Sequence, residues 1–189
     1  MVKNKDLTDS LFDCAGKDDE RYKSLDNEEY IKKIEYVIKK WKSAYTPNEY
    51  SLKLVAKEII EYLKEYTLED VKKFVELVPI LAEKYNLDGI AYADLGFLVT
   101  ALYKNIIGDN DILVLDVRKW KYKPNYLGYK QERGRVIIIG DVGDVIGKEI
   151  KGGEIIIYGN AENFIGSGME GGKIVIYGNV ISEVGLGMK

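Results

Sequence analysis

The segment GGEIIIYGN at residues 152–160 returns as GGKIVIYGN at residues 171–179, a step of 19 residues that keeps seven of nine positions identical. An earlier copy, GRVIIIGD at residues 134–141, fits the same register. A fixed short period with glycine corners predicts a solenoid, in which each repeat forms one coil and each coil stacks on the previous one. The second part of the unit keeps the period through Ile146-Gly147, Ile165-Gly166 and Val184-Gly185.

Glycine divides the chain into two parts. Of the 19 glycines, 14 lie in residues 134–189 and only five precede them. Upstream, apolar residues recur at helical spacing, whereas downstream short apolar runs alternate with glycine, which indicates strands and turns. We therefore expect an α+β chain with a helical bundle over residues 1–110, a basic aromatic connector over residues 111–133 and a short parallel β-helix of 19-residue coils over residues 134–189.

Capping signals place the expected helices. A first helix starts near Asp26, a second at Thr46-Pro47-Asn48-Glu49, where threonine suits the cap and proline the first helical position, and a third at Thr67. Pro79 is expected to kink or end the third helix, because proline lacks the amide hydrogen that the helix needs. A fourth, more apolar helix is expected over residues 91–107.

Composition excludes several functional classes. The chain has 189 residues, no histidine and one cysteine, Cys14, which excludes histidine-based catalysis, a disulfide framework and a cysteine metal cluster. We expect no cofactor or metal, and an inert thiol at Cys14. No apolar run approaches the roughly 18 residues of a membrane span, and the N-terminus lacks a secretory signal, so a cytoplasmic protein is expected. Residues 1–25 are expected to be poorly ordered, and the 31% charged content fits a thermophilic, archaeal source.

Charged residues in the repeats test the solenoid prediction. At the 19-residue step, Arg135, Glu154 and Lys173 alternate in sign. A second column alternates in the same way through Lys151, Glu170 and Lys189. Opposite charges on neighbouring strands attract modestly, by about 0.2–1 kcal/mol per pair, and like charges repel. In-register parallel stacking is therefore favoured.

The last repeat is a candidate docking edge. The strand at residues 155–158 is apolar on both faces, so we expect one face to line the solenoid interior and the other to be covered by the helical half or a partner. The repeat stops at Lys189 without a predicted cap, so the final coil is expected to offer an unpaired strand edge to another chain or a second copy. The candidate docking residues are Lys173, Ile174, Ile176, Tyr177, Val184, Gly185, Leu186, Met188 and Lys189.

The connector is a second candidate site, because cations and aromatic residues alternate along it. Such a pattern suits phosphate groups or single-stranded nucleic acid. Two other interpretations stay open: a connector that packs on the solenoid and pairs with acidic helices, and a surface that docks to an acidic partner. The candidate anion-binding residues are Arg118, Lys119, Lys121, Lys123, Lys130 and Arg133.

The glycine pattern also carries a family resemblance. Residues 140–147 and 169–179 resemble the GXGXG-type repeat of the C subunit of formylmethanofuran dehydrogenase and, less closely, the C-terminal domain of the glutamate synthase large subunit. The resemblance implies a right-handed parallel β-helix with a structural role, since other subunits or domains carry the redox chemistry in both enzymes. We therefore expect a non-catalytic scaffold or accessory oxidoreductase subunit that forms a homo-oligomer or joins a larger complex. The alternative is an anion- or nucleic-acid-binding protein that uses the connector.

Overall fold

The first part of the described chain is helical. The computed structural model describes residues 27–189, so the expectations for residues 1–25, Cys14 and the Asp26 cap lie outside the described residues. None of the helices within residues 27–189 is both long enough and apolar enough to span a bilayer. The helices are α1 (Asn27–Ala44), α2 (Glu49–Leu63), α3 (Leu68–Lys84), α4 (Gly89–Ala93) and α5 (Leu95–Lys104).

Local chemistry explains where these helices begin. Asn48, rather than Thr46, caps α2, and its side chain accepts a hydrogen bond from the Ser51 amide at 2.9 Å. Thr67 caps α3 in a reciprocal capping box with Asp70, as the sequence predicts. The fourth predicted helix is instead two helices, α4 and α5, that meet at Asp94.

Pro79 lies inside α3 and does not end it. Proline has no amide hydrogen, so the carbonyl of Val75, four residues earlier, loses its usual helical donor. The indole Nε1 of Trp120 donates to this carbonyl at 3.0 Å. The helix therefore continues past the proline, and the vacated acceptor holds the connector against the bundle.

Four parallel strands follow the helices, in the spatial order β1-β2-β3-β4. Arg135 of β2 pairs with Glu154 of β3, which pairs with Lys173 of β4, so successive strands are 19 residues apart as predicted. The parallel β-solenoid and its 19-residue coils are thus confirmed. The strands are β1 (Ile112–Asp116), β2 (Arg135–Ile139), β3 (Glu154–Tyr158) and β4 (Lys173–Ile176).

The solenoid begins earlier than the glycine-rich segment. Strand β1 pairs with β2 over a step of 23 residues, Ile112 to Arg135. We define coil 1 as residues 112–134, coil 2 as 135–153, coil 3 as 154–172 and coil 4 as 173–189. The connector therefore forms most of coil 1. Its longer loop accommodates Trp120, which reaches the helices.

Side-chain ladders show that coil 1 obeys the same repeat. The Oδ1 atom of Asn125 accepts from the Asp144 amide, and the Oδ1 atom of Asp144 accepts from the Asn163 amide, both at 2.9 Å and both over 19 residues. In the sequence, Leu127-Gly128 precedes Ile146-Gly147 by the same step. The period thus extends one coil further back than the β-strand pattern alone indicates.

Helices α4 and α5 cap coil 1 where another coil would otherwise stack. The amide of Asn125 donates to the Ala93 carbonyl at 2.8 Å, and the amide of Gly128 donates to the Thr100 hydroxyl at 3.0 Å. Helix α3 packs against β1. One continuous hydrophobic core therefore joins the bundle to the solenoid interior, with Trp41 and Phe74 on one side and Leu113 and Ile138 on the other.

The outer face of the sheet has a different cover from the one expected. Val114, Ile137 and Ile139 are at most 5% exposed and form a separate cluster. The apolar residues packed against them, Ile112 and Tyr158 among others, are also strand residues. The expectation that the helical half covers this face is wrong, because stacked side chains from neighbouring coils shield one another.

A glycine substitution tests the close stacking of coils. A Cβ atom at Gly159 would lie 2.1 Å from the carbonyl oxygen of Gly140, one coil below, and Gly159 has no positive φ. We expect Gly159→Ala to cost about 3 kcal/mol of unfolding free energy, since backbone must move to relieve the clash. Gly89→Ala is the control, because Gly89 has φ +59° and no atom within 4 Å of its Cβ position. It should cost only about 1–2 kcal/mol of backbone strain, and equal losses in urea unfolding would contradict close stacking.

Candidate functional site

Coil 4 carries most of the large exposed apolar side chains of the solenoid. Within the strand, Ile174 and Ile176 are half-buried against coil 3. Beyond it, the exposed fractions range from 56% at Met188 to 69% at Ile181. Apolar groups concentrated on one surface indicate an interaction site more strongly than scattered ones do. The exposed set is Tyr177, Ile181, Val184, Leu186 and Met188.

Coil 4 also presents an unpaired strand edge. The amides of coil 4 donate to coil 3, for example from Lys173 to Gly153 at 3.0 Å and from Gly185 to Ile165 at 2.8 Å. Within residues 27–189, strand β4 pairs with β3 and with no other strand. Edge strands of this kind are templates for pairing with another chain. The structure thus brings the predicted docking residues together on one end of the solenoid.

The stacked columns reach this edge in register. Glu154 binds Arg135 at 2.6 Å and Lys173 at 3.0 Å, and Lys189 binds Glu170 at 3.0 Å. These ion pairs confirm the predicted alternation. Hydrogen bonds from Lys173 and Arg135 also hold the pKa of the Glu154 carboxyl below its ordinary value. Both lysines at the edge therefore already have a carboxylate partner.

Most cations of the connector are neutralised. Ion pairs join Arg118 to Asp116, Lys121 to Asp88, Lys123 to Glu162 and Lys130 to Glu149. Only Asp88 belongs to the helical half, so the connector pairs mainly with the solenoid. The two remaining candidates, Lys119 and Arg133, form no ion pair within the described part of the chain.

The unpaired cations line different cavities. Lys119 lies with Lys121 beside a cavity of about 500 Å³ near the end of α3. Arg133 lies with Lys130 beside a cavity of about 380 Å³ at the end of α5. The second cavity also contains Lys104, which the sequence analysis did not single out because it is remote in sequence from the connector. The predicted anion-binding residues therefore do not form one continuous surface.

Glu49 is a further residue that sequence reasoning noted only as a capping residue. Its carboxylate accepts from Lys53 at 2.7 Å, from the Tyr129 hydroxyl at 2.6 Å and from Lys148 at 2.7 Å. Tyr129 belongs to coil 1 and Lys148 to coil 2, so one carboxylate links α2 to two coils. Burial would raise the pKa of Glu49, but the three hydrogen bonds outweigh it and lower the pKa from 4.5 to about 2.

Comparison with known proteins gives no relative. No family model, curated protein or solved structure matches this chain significantly. Function is therefore argued from the geometry of coil 4 and of the two cavities.

The Glu49 junction predicts a pH-dependent stability. Because the folded state holds the pKa of Glu49 at about 2, its contribution is present above the ordinary pKa and is lost as the pH falls from about 5 toward 2. Glu49→Gln should therefore cost about 1–2 kcal/mol at neutral pH, allowing for partial exposure of the site, and the difference from wild type should shrink in acid.

Urea unfolding at several pH values measures this difference. Glu61→Gln is the control, since Glu61 is mostly exposed and its ammonium partner, Lys57, is 3.8 Å away. A Glu49→Gln penalty that is independent of pH would contradict the role of the carboxylate.

Proposed function

We propose that this protein is a non-catalytic scaffold that dimerises by stacking coil 4 on coil 4 of a second copy. The observation that carries the proposal is the concentration of exposed apolar side chains, from Tyr177 to Met188, beside an unpaired parallel strand. Burying such a surface is favourable by about 25 cal/mol per Å² of apolar area, before the entropic cost of association.

A second copy is favoured as the occupant because coils of this sequence already stack on each other. Residues 152–160 and 171–179 share seven of nine positions, and they pack as neighbours within the chain. The rings of Tyr158 and Tyr177 lie 4.8 Å apart and nearly parallel, at 2°. A coil of nearly the same composition is therefore a suitable neighbour for coil 4.

The other end of the solenoid limits the assembly to two chains. Head-to-tail stacking would need a free coil 1, but α3 packs against β1, and α4 and α5 supply hydrogen-bond acceptors to Asn125 and Gly128. The remaining arrangement is isologous, with coil 4 facing coil 4 across a two-fold axis. Such a contact closes as a dimer and brings the two β4 edges together in antiparallel orientation.

Charge does not oppose this arrangement strongly. Lys173 and Lys189 are the cations of the edge, and each is bound at 3.0 Å by a carboxylate one coil below, from Glu154 and Glu170 respectively. Glu183, on the same coil, supplies an exposed charge of the opposite sign. Repulsion between two copies is thus reduced, and screening by salt lowers it further.

The resemblance to the C subunit of formylmethanofuran dehydrogenase supports a wider form of the proposal, in which the dimer serves as an accessory subunit of an oxidoreductase. The helical half is the surface then left for the catalytic chains, because coil 4 is occupied by the second copy. Affinity capture from native extract should recover a metal- or flavin-bearing partner. Recovery of the dimer alone would restrict the proposal to self-association.

Sedimentation velocity at micromolar concentration tests the dimer directly. We expect the wild-type chain to sediment as a dimer, and Ile181→Lys and Val184→Lys to sediment as monomers, because each buries an ammonium in the contact. Ile80→Lys is the matched control, since Ile80 on α3 is 64% exposed and remote from coil 4.

Circular dichroism should show all three variants folded, because the substituted side chains are mostly exposed. A monomeric wild type, or equal dissociation of the Ile80→Lys control, would reject the proposal.

A further inference from the structure

We propose that the cavity at the junction of α5 and coil 1 binds the phosphate group of a small molecule through Lys104, Lys130 and Arg133. The cavity has a volume of about 380 Å³, within the range of small-molecule sites. Its lining residues come from the C-terminal end of α5 and from the last part of coil 1. They are Lys104, Asn105, Ile107, Lys130, Glu132 and Arg133.

The first argument is an uncompensated charge. Lys104 is half-buried, and its ammonium lies 5.9 Å from the centre of the Tyr129 ring. Neither Lys104 nor Arg133 forms an ion pair with any residue of the described chain, although most cations nearby do. Partial burial of a charge without a counter-ion is costly. An anion in the cavity would supply the missing partner to both groups.

The second argument is the electrostatic field at the cavity. Lys53 from α2 and Lys130 from coil 1 each place an ammonium 5.5 Å from the same Tyr129 ring. Burial, followed by the proximity of Lys130 and Lys53, lowers the pKa of Lys104, while Glu132 acts in the opposite direction. Glu49 and Glu149 neutralise Lys53 and Lys130 respectively. The surplus of positive charge therefore rests on Lys104 and Arg133.

The third argument concerns the class of anion. A phosphate monoester carries about −1.5 to −2 charges at neutral pH, which matches two unpaired cations better than a single carboxylate does. The guanidinium of Arg133 suits bidentate contact with phosphate oxygens. Asn105 uses its Nδ2 to donate to the Ala101 carbonyl at 3.3 Å, which leaves its Oδ1 as an acceptor for a ligand hydroxyl. An extended polyanion fits less well, because Glu132 and Glu149 flank the cavity.

Isothermal titration calorimetry of the full chain tests this site with two probes, inorganic phosphate and glycerol 3-phosphate. We expect saturable binding with one site per chain. Tighter binding of glycerol 3-phosphate identifies the ligand as a phosphate ester, whereas equal affinity identifies the free phosphate ion. Glycerol and acetate are the negative probes, and neither should bind.

Charge-removing variants locate the site. Lys104→Gln and Arg133→Gln should each weaken phosphate binding roughly ten- to hundredfold, the value of a charge-assisted hydrogen bond. Lys119→Gln is the matched control, because Lys119 is an unpaired cation of the same connector that lines the other cavity. Thermal unfolding should show that Lys104→Gln is no less stable than wild type, since it removes an uncompensated charge. Absence of saturable binding, or equal loss in Lys119→Gln, would overturn the proposal.

Discussion

The fold depends on one constraint, the in-register stacking of parallel coils every 19 residues. Each coil hydrogen-bonds to the next through its backbone, so equivalent residues must recur at the same step. Gly134, Gly153 and Gly172 occupy one such column, and all three have φ between 71° and 75°, a left-handed conformation that favours glycine. An insertion is tolerated where it does not interrupt the stack. Coil 1 shows this, since its loop around Trp120 turns toward the helices.

The helical half acts as the cap that this stack requires at one end. A solenoid coil cannot leave its backbone groups unpaired and its apolar interior open. Here Thr100 and the Ala93 carbonyl accept the hydrogen bonds that a preceding coil would otherwise accept. Pro79 frees the Val75 carbonyl for Trp120, and Glu49 binds side chains from two coils. Helices and coils are thus one structure that shares a core.

The sequence predicted the features that depend on local geometry and period. Coils 2 to 4 were evident because glycine corners and apolar strands must recur at every step. Coil 1 was missed because its 23-residue strand step breaks the period, although Asn125 and Leu127-Gly128 preserve it on the other walls. The break between α4 and α5 at Asp94 was also missed, because apolar residues continue through it. The cavity around Lys104 was not predictable, since tertiary packing alone brings α5 against the connector.

The two proposed sites follow from the same argument about satisfied groups. Within residues 27–189, every buried side-chain nitrogen or oxygen has a hydrogen-bond partner. Folded proteins normally reach this state, so groups left without partners mark places where function outweighs stability. One such place is the edge of coil 4, where backbone and apolar groups remain open. The other is the cavity of Lys104 and Arg133, where charge remains unpaired. The edge lies at the far end of the solenoid and the cavity beside coil 1, so an assembled dimer would keep the cavity accessible.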